Sequence, residues 1–122
     1  MKEAITSQGA PNPGGPYSPG IKSGSRIYVS GQRPTDAASN TIPETFAEQA
    51  RLCLYNISKV LEAGGASLED VVCVNVFLAD IAYFAEFNEI YQGFFKEPYP
   101  ARTTIGCSLR GILVEINAIA EI

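Results

Sequence analysis

The chain has no histidine. That removes the commonest metal ligand and the usual general base near neutral pH. Acid–base chemistry would have to rest on carboxylates, tyrosines, hydroxyls or water. Cysteine is sparse: Cys53, Cys73 and Cys107 are an odd number without Cys-x-x-Cys spacing, which argues against a disulfide framework and a zinc site. No apolar run reaches the ~18 residues that span a bilayer. Met1 to Pro19 is rich in Gly, Pro and Ser and lacks the apolar stretch of a secretory signal, so no membrane partner is expected and the default address is cytoplasmic. Basic charge is thin as well. Nine Lys and Arg stand against thirteen Asp and Glu, a net charge of −4, and the nine are scattered: Lys2, Lys22, Arg26, Arg33, Arg51, Lys59, Lys96, Arg102 and Arg110. Without a basic stripe, a nucleic-acid partner is disfavoured.

What remains is globular in composition, 46% hydrophobic and 18% charged. The 122 residues fit one domain, 1–122. Gly9 to Pro19 reads as an ordered coil leading into Tyr17 and Ser18. Arg26 to Ser30 alternates as a half-buried strand should, and Gly31 is expected to end it. Pro43 sits where helix starts tolerate it. Phe46, Ala50, Cys53, Leu54, Ile57, Val60 and Leu61 recur at helical spacing, and Gly64-Gly65 stops the run. Val71 to Leu78 is apolar on both faces, as in a central strand. Asp80 is placed to cap a second helix, with Phe84, Phe87, Ile90, Tyr91, Phe94 and Phe95 as its stripe. Strands are expected from about Thr103 to Cys107 and from Leu113 to Ile122.

Strands and helices in this order predict an α+β layer, a sheet with two helices on one face. In the last strand Val114, Ile116, Ala118, Ala120 and Ile122 make one apolar face. The other, with Leu113, Glu115, Asn117, Ile119 and Glu121, is mixed. Two helices cover only one side of a sheet. The uncovered apolar side implies an interface, and a homo-oligomer of closed symmetry is the expectation.

Glu115 stands out as a carboxylate amid branched apolar residues, where an unpaired buried charge is costly. It reads either as a group that exchanges protons with water or substrate, or as an edge position or structural ion pair. Arg102 follows Pro100-Ala101 at the start of a strand. It reads either as a clamp for a small molecule's carboxylate or as a surface arginine. Tyr17 and Ser30 offer hydroxyls beside glycines. Asn88 is a polar residue on the second helix. Cys107 lacks a histidine to activate it and reads as packing.

Together these residues resemble the Rid family (reactive intermediate deaminases, also called YjgF), most closely its RidA branch, from about Ala10 to Ala120. The resemblance rests on Gly15-Pro16-Tyr17-Ser18-Pro19-Gly20, Val29-Ser30-Gly31-Gln32, Glu48-Gln49-Ala50-Arg51, Leu61-Glu62-Ala63-Gly64-Gly65 and Val76-Phe77-Leu78-Ala79-Asp80. It continues in Phe87-Asn88-Glu89-Ile90-Tyr91, Tyr99-Pro100-Ala101-Arg102 and Val114-Glu115-Ile116-Asn117-Ala118-Ile119-Ala120.

The resemblance implies a chorismate-mutase-like α+β fold and a homotrimer with clefts between adjacent subunits. It also implies hydrolysis of enamines and imines, such as 2-aminoacrylate/2-iminopropanoate and 2-iminobutanoate, to 2-keto acids and ammonia. No metal or cofactor is implied, and the small-molecule partner is an imino or keto acid. By the same resemblance Arg102 binds the substrate carboxylate and Glu115 positions water. Tyr17, Ser30 and Asn88 are further cleft residues, and the Gly31 backbone lines the pocket.

The chain also departs from the family pattern. Pro-Ala-Arg-Ser-Cys is here Pro100-Ala101-Arg102-Thr103-Thr104, so Thr104 can retain backbone contacts to a ligand but no thiol role. Gly106 to Leu113 is shorter than in RidA and lacks its Arg-Leu-Pro turn, which bears on pocket shape and substrate preference. Two other functions stand beside the deaminase: a non-catalytic small-acid-binding or chaperone-like module, and a ribonuclease or translation inhibitor. The acidic balance and missing histidines weigh against the last.

Overall fold

The helical spacing between Phe46 and Leu61 is realised as α1, Phe46–Ala63, in the computed structural model, which describes all residues from 1 to 122. Pro43 lies ahead of the helix, and Thr45 is the cap. Its Oγ1 accepts from the Glu48 N–H at 3.2 Å and donates to the Glu48 carboxylate at 2.8 Å. Such a cap is worth about 1 kcal/mol. At the other end the Gly64 N–H reaches the carbonyls of Val60 and Leu61, and Gly65 turns the chain away at φ +89°, a conformation glycine adopts without strain.

Six strands form one sheet: β1 (Lys2–Ile5), β2 (Gly20–Ser23), β3 (Arg26–Gln32), β4 (Val71–Leu78), β5 (Ala101–Gly106) and β6 (Val114–Glu121). Their order is β1-β2-β3-β6-β4-β5. All neighbours are antiparallel except β4 and β5, which run parallel. A parallel pair needs a long crossover, and the second helix, α2 (Phe84–Tyr91), supplies it. Both helices pack on one face. There Ile27, Val29, Val74, Val76, Leu78, Val114, Ile116, Ala118 and Ala120 join Ala50, Cys53, Leu54, Ile57, Val60, Leu61 and Phe87 in a single buried core. The α+β layer expected from the sequence is therefore present.

Several boundaries differ. β1 and β2 fall on either side of the Gly9–Pro19 coil, in stretches where the sequence suggests no element, because strands of four residues carry too little periodicity to stand out. α2 ends at Tyr91. Gly93 follows its cap, and Phe94 and Phe95 continue the apolar stripe from a turn whose N–H groups return to the Tyr91 carbonyl. Asp80 caps a 3-10 turn, Ile81–Tyr83, that leads into α2. β5 starts at Ala101, two residues early, so Arg102 lies inside the strand.

Gly31 does not end β3. Val29 faces Ala118 and Gln32 faces Ile116, so β3 holds one more residue than β6 over this stretch. This is a β-bulge at Ser30–Gly31, a device that re-aims side chains. The uncovered face of the sheet carries Phe77, Thr103, Ile105, Glu115, Asn117 and Ile119, none of them buried. Asn75 and Asn117 face each other there across the strands, Nδ2 to Oδ1 at 2.9 Å.

Candidate active site

Arg102 is opposite Val74 on β4, so its side chain rises on the helix side. It lies against α2. The guanidinium carbon is 4.7 Å from the Tyr91 ring centre, 5.4 Å from that of Phe87 and 5.6 Å from that of Phe84. These faces hold a cation without neutralising it. One N–H donates to Asn88 Oδ1 at 2.6 Å. Phe84, Phe87, Asn88 and Tyr91 share a helix face because three and four residues make one turn. No carboxylate pairs with Arg102, and four of its five N–H donors stay free. Asn88, Tyr91, Gln92, Tyr99, Pro100 and Arg102 line a depression of about 270 Å³. Burial pushes the Tyr91 hydroxyl up to about 12, with the Arg102 charge working the other way. The Tyr91 and Thr104 hydroxyls are buried and unpartnered.

Glu115 is opposite Phe77 on β4 and projects from the uncovered face. β6 is an inner strand, so Glu115 is not at an edge, and it makes no ion pair within the chain. Within the chain, then, Glu115 takes neither the edge position nor the ion pair that the sequence left open. The β3 bulge brings Gly31 beneath the carboxylate: a Cβ on Gly31 would stand 2.5 Å from Glu115 Oε2. The missing side chain is what leaves room for that oxygen. Tyr17, Ser30, Gly31, Arg33, Ser108, Leu109, Arg110 and Glu115 surround an open depression of about 490 Å³. Ser30 Oγ donates to the Ser18 carbonyl at 2.6 Å, and the Ser30 N–H to the Pro19 carbonyl at 2.9 Å. Ser30 thus braces the Gly-Pro segment that carries Tyr17.

The residues singled out from the sequence therefore form two groups. Tyr17, Ser30, Gly31 and Glu115 make one, and Asn88 and Arg102 make the other, with Thr104 two residues along β5. Val74 and Phe77, their markers on β4, are three residues apart and point to opposite faces. One chain does not bring Arg102 and Glu115 together. No three His, Cys, Asp or Glu side chains meet as a metal-ligand set.

A family model described as endoribonuclease L-PSP matches residues 7–122. The chain belongs to this family, the Rid (YjgF) family. A RutC family protein of Saccharolobus solfataricus is 45% identical to it over 124 residues, covering 99% of this Rid chain and 98% of that protein. TdcF of Escherichia coli, provisionally named a reactive intermediate deaminase, is 38% identical over 125 residues, covering 98% and 97%. The crystal structure of E. coli TdcF with bound serine superposes with a TM-score of 0.93 at 36% identity and 98% coverage of both chains. RidA from the Antarctic bacterium Psychrobacter superposes at 0.95 with 38% identity, covering 98% and 99%.

The sequence reading of this Rid chain passed over a polar stripe on α1. Gln49, Cys53 and Asn56 are buried on one helix face. Gln49 Oε1 accepts from the Leu113 N–H at 2.8 Å, while its Nε2 donates to the Pro43 carbonyl at 2.8 Å. The Cys53 thiol donates to the carbonyls of Gln32 and Val114 at 3.3 and 3.6 Å. Asn56 Nδ2 donates to the carbonyls of Arg33 and Thr35 at 3.1 and 3.0 Å. These bonds fasten the irregular backbone on both sides of the Glu115 depression. Burial, and then the Glu115 charge, push the Cys53 thiol well above its usual range. The visible signal was Gln and Asn at i and i+7 among apolar residues.

Proposed function

We propose that the protein hydrolyses small enamines and imines of 2-amino acids, such as 2-iminopropanoate and 2-iminobutanoate, to 2-keto acids and ammonia. The observation that carries it is two charges without an ion-pair partner in the chain: Arg102 held by aromatic faces and Asn88, and Glu115 lying over Gly31. The deaminase name of TdcF and the serine in its crystal structure support the reading.

Arg102 takes the substrate carboxylate through two parallel N–H···O bonds. Asn88 and the α2 rings fix the plane of the fork. Glu115 accepts a proton from water as the water oxygen bonds to the imine carbon and the C=N electron pair moves to nitrogen. The same carboxyl returns that proton to nitrogen and then carries the hydroxyl proton to nitrogen as well, so that the C–N bond breaks, ammonia leaves and the keto group forms. An enamine first takes a proton at its β-carbon and gives one up from nitrogen to become the imine. Imine hydrolysis is already fast in water, so orientation and one proton carrier of ~10²–10⁴-fold effect are enough.

Because one chain keeps Arg102 and Glu115 on opposite faces, the site we propose lies between subunits of a homotrimer, with Glu115 from one uncovered sheet face and Arg102 from its neighbour. A coupled assay tests the function. Threonine dehydratase generates the imine in situ, and keto-acid release is followed with wild type, Arg102→Ala and Glu115→Gln. Wild type should accelerate release, Arg102→Ala should lose binding of small carboxylates, and Glu115→Gln should keep binding and lose turnover. No acceleration by wild type, or full turnover by Glu115→Gln, would overturn it.

A further inference from the structure

Beside Glu115 lies a positive site that imine hydrolysis does not use. Arg33 and Arg110, 77 positions apart in sequence, line the same depression as Glu115, Tyr17 and Ser30. Neither takes part in an ion pair, in a chain whose net charge is −4. Arg33 Nη2 donates to the Arg110 carbonyl at 3.0 Å, which holds the guanidinium against the segment 107–113. The fully buried Asn56 fixes the Arg33 carbonyl from below at 3.1 Å. Arg33 therefore stands on braced backbone, and one of its five N–H donors is spent. The depression continues past Tyr17 and Gly31 into a second hollow of about 470 Å³, also lined by Arg33 and Arg110. The only carboxylate lining either hollow is that of Glu115. An alkyl substrate such as 2-iminobutanoate offers nothing to two guanidinium groups.

We propose that Arg33 and Arg110 bind a second carboxylate, at the far end of the substrate, so that the preferred substrates are 2-imino dicarboxylic acids of the kind derived from acidic amino acids. This rests on the deaminase reading for the fate of the imine, but the recognition is separable from it. The first carboxylate goes to Arg102, the imine carbon sits by Glu115, and the side-chain carboxylate reaches the Arg33–Arg110 fork. Arginine suits a planar, two-oxygen anion because its donors form a matching fork.

Calorimetry with 2-oxoglutarate and 2-oxopentanoate, five-carbon keto acids differing at the terminal group, reads the recognition directly. Wild type should bind 2-oxoglutarate at least ~10-fold more tightly, the scale of one charge-assisted contact. The preference should shrink with added salt. In Arg33→Gln/Arg110→Gln the ratio should fall toward one, and Arg33→Lys should keep part of it. Equal affinities in wild type, or a ratio that survives the double substitution, would overturn the proposal. Turnover of the imines of glutamate and norvaline, each made in situ by an amino acid oxidase, gives the second readout. Wild type should favour the glutamate imine. If neither imine is hydrolysed faster than in buffer, the deaminase reading fails while the affinity ratio still decides the role of the two arginines.

Discussion

Replacing Gly31 by alanine tests the placement of Glu115 more sharply than removing the carboxylate. The added Cβ would lie 2.5 Å from Glu115 Oε2 and 3.3 Å from its Cδ. Ordinary contact needs about 3.5 Å, so the carboxylate has to retreat by about 1 Å. Gly31 is not among the glycines with positive φ, so an alanine backbone fits there without strain. The obstacle is the end of a flexible side chain on an open face, and the loss of stability should stay near ~1 kcal/mol. Catalysis should suffer far more, because a 1 Å misplacement costs on the order of 10²-fold. In the proposed site the substrate carboxylate is held by Arg102 of the neighbouring subunit, which the added methyl does not touch, so KM should hardly move and the loss should fall on kcat. The coupled dehydratase assay measures both constants, and a thermal melt checks the fold. Glu115→Asp, one methylene shorter, gives the control. Because both changes act on one contact, Gly31→Ala/Glu115→Asp should be no worse than Glu115→Asp alone. Full kcat in Gly31→Ala, or strictly additive losses in the double variant, would refute the proposed role of the bulge.

Three further outcomes follow from the same structure. Sedimentation equilibrium at micromolar concentration should give a trimer, since the sheet leaves Ile105 44% and Val72 48% exposed; a monomer mass would remove the intersubunit site. Protein free of contaminating nuclease should not cleave RNA at physiological salt, for want of a basic stripe; cleavage that tracks the pure protein and vanishes in Arg102→Ala would reverse the ranking of functions. Stability should fall with rising pH above about 8.5. There the Cys53 thiol ionises when the chain unfolds but stays protonated when folded, so the unfolded state holds fewer protons. The slope approaches ~1.4 kcal/mol per pH unit, and Tyr91 adds to it between about pH 10 and 12. Denaturant titrations from pH 7 to 10.5 measure the slope, and Cys53→Ser should flatten its onset.

The long elements were legible because their periodicity is long. α1 shows five turns of apolar spacing and β4 eight apolar-rich residues, and both lie close to where the sequence puts them. Glycine was harder to read. Gly31 is equally suited to stop a strand or to bulge it, and only the pairing with β6 decides. Convergence between distant segments was not legible at all. Arg33 and Arg110 count as scattered charges in the sequence, yet the turn before β6 folds back onto the end of β3 and sets them side by side. The parallel pairing of β5 with β4, which puts Arg102 on the helix side, is likewise a product of the α2 crossover.

That crossover has a chemical consequence. Were Arg102 and Glu115 to face each other in one chain, they would close into an ion pair. At an effective dielectric near 20, two unit charges 4 Å apart attract by ~4 kcal/mol. A substrate carboxylate would have to break that pair to reach the arginine, and the glutamate would lose its readiness to take a proton. The sheet prevents this, because β4 presents Val74 to one face and Phe77 to the other. Each charge is steadied by something other than a counter-ion: aromatic faces and an amide oxygen for Arg102, and space above a glycine for Glu115. In the proposed trimer the two meet across a gap between subunits, which a small imino acid bridges. The separation within one chain is therefore what keeps both groups chemically available when the site assembles.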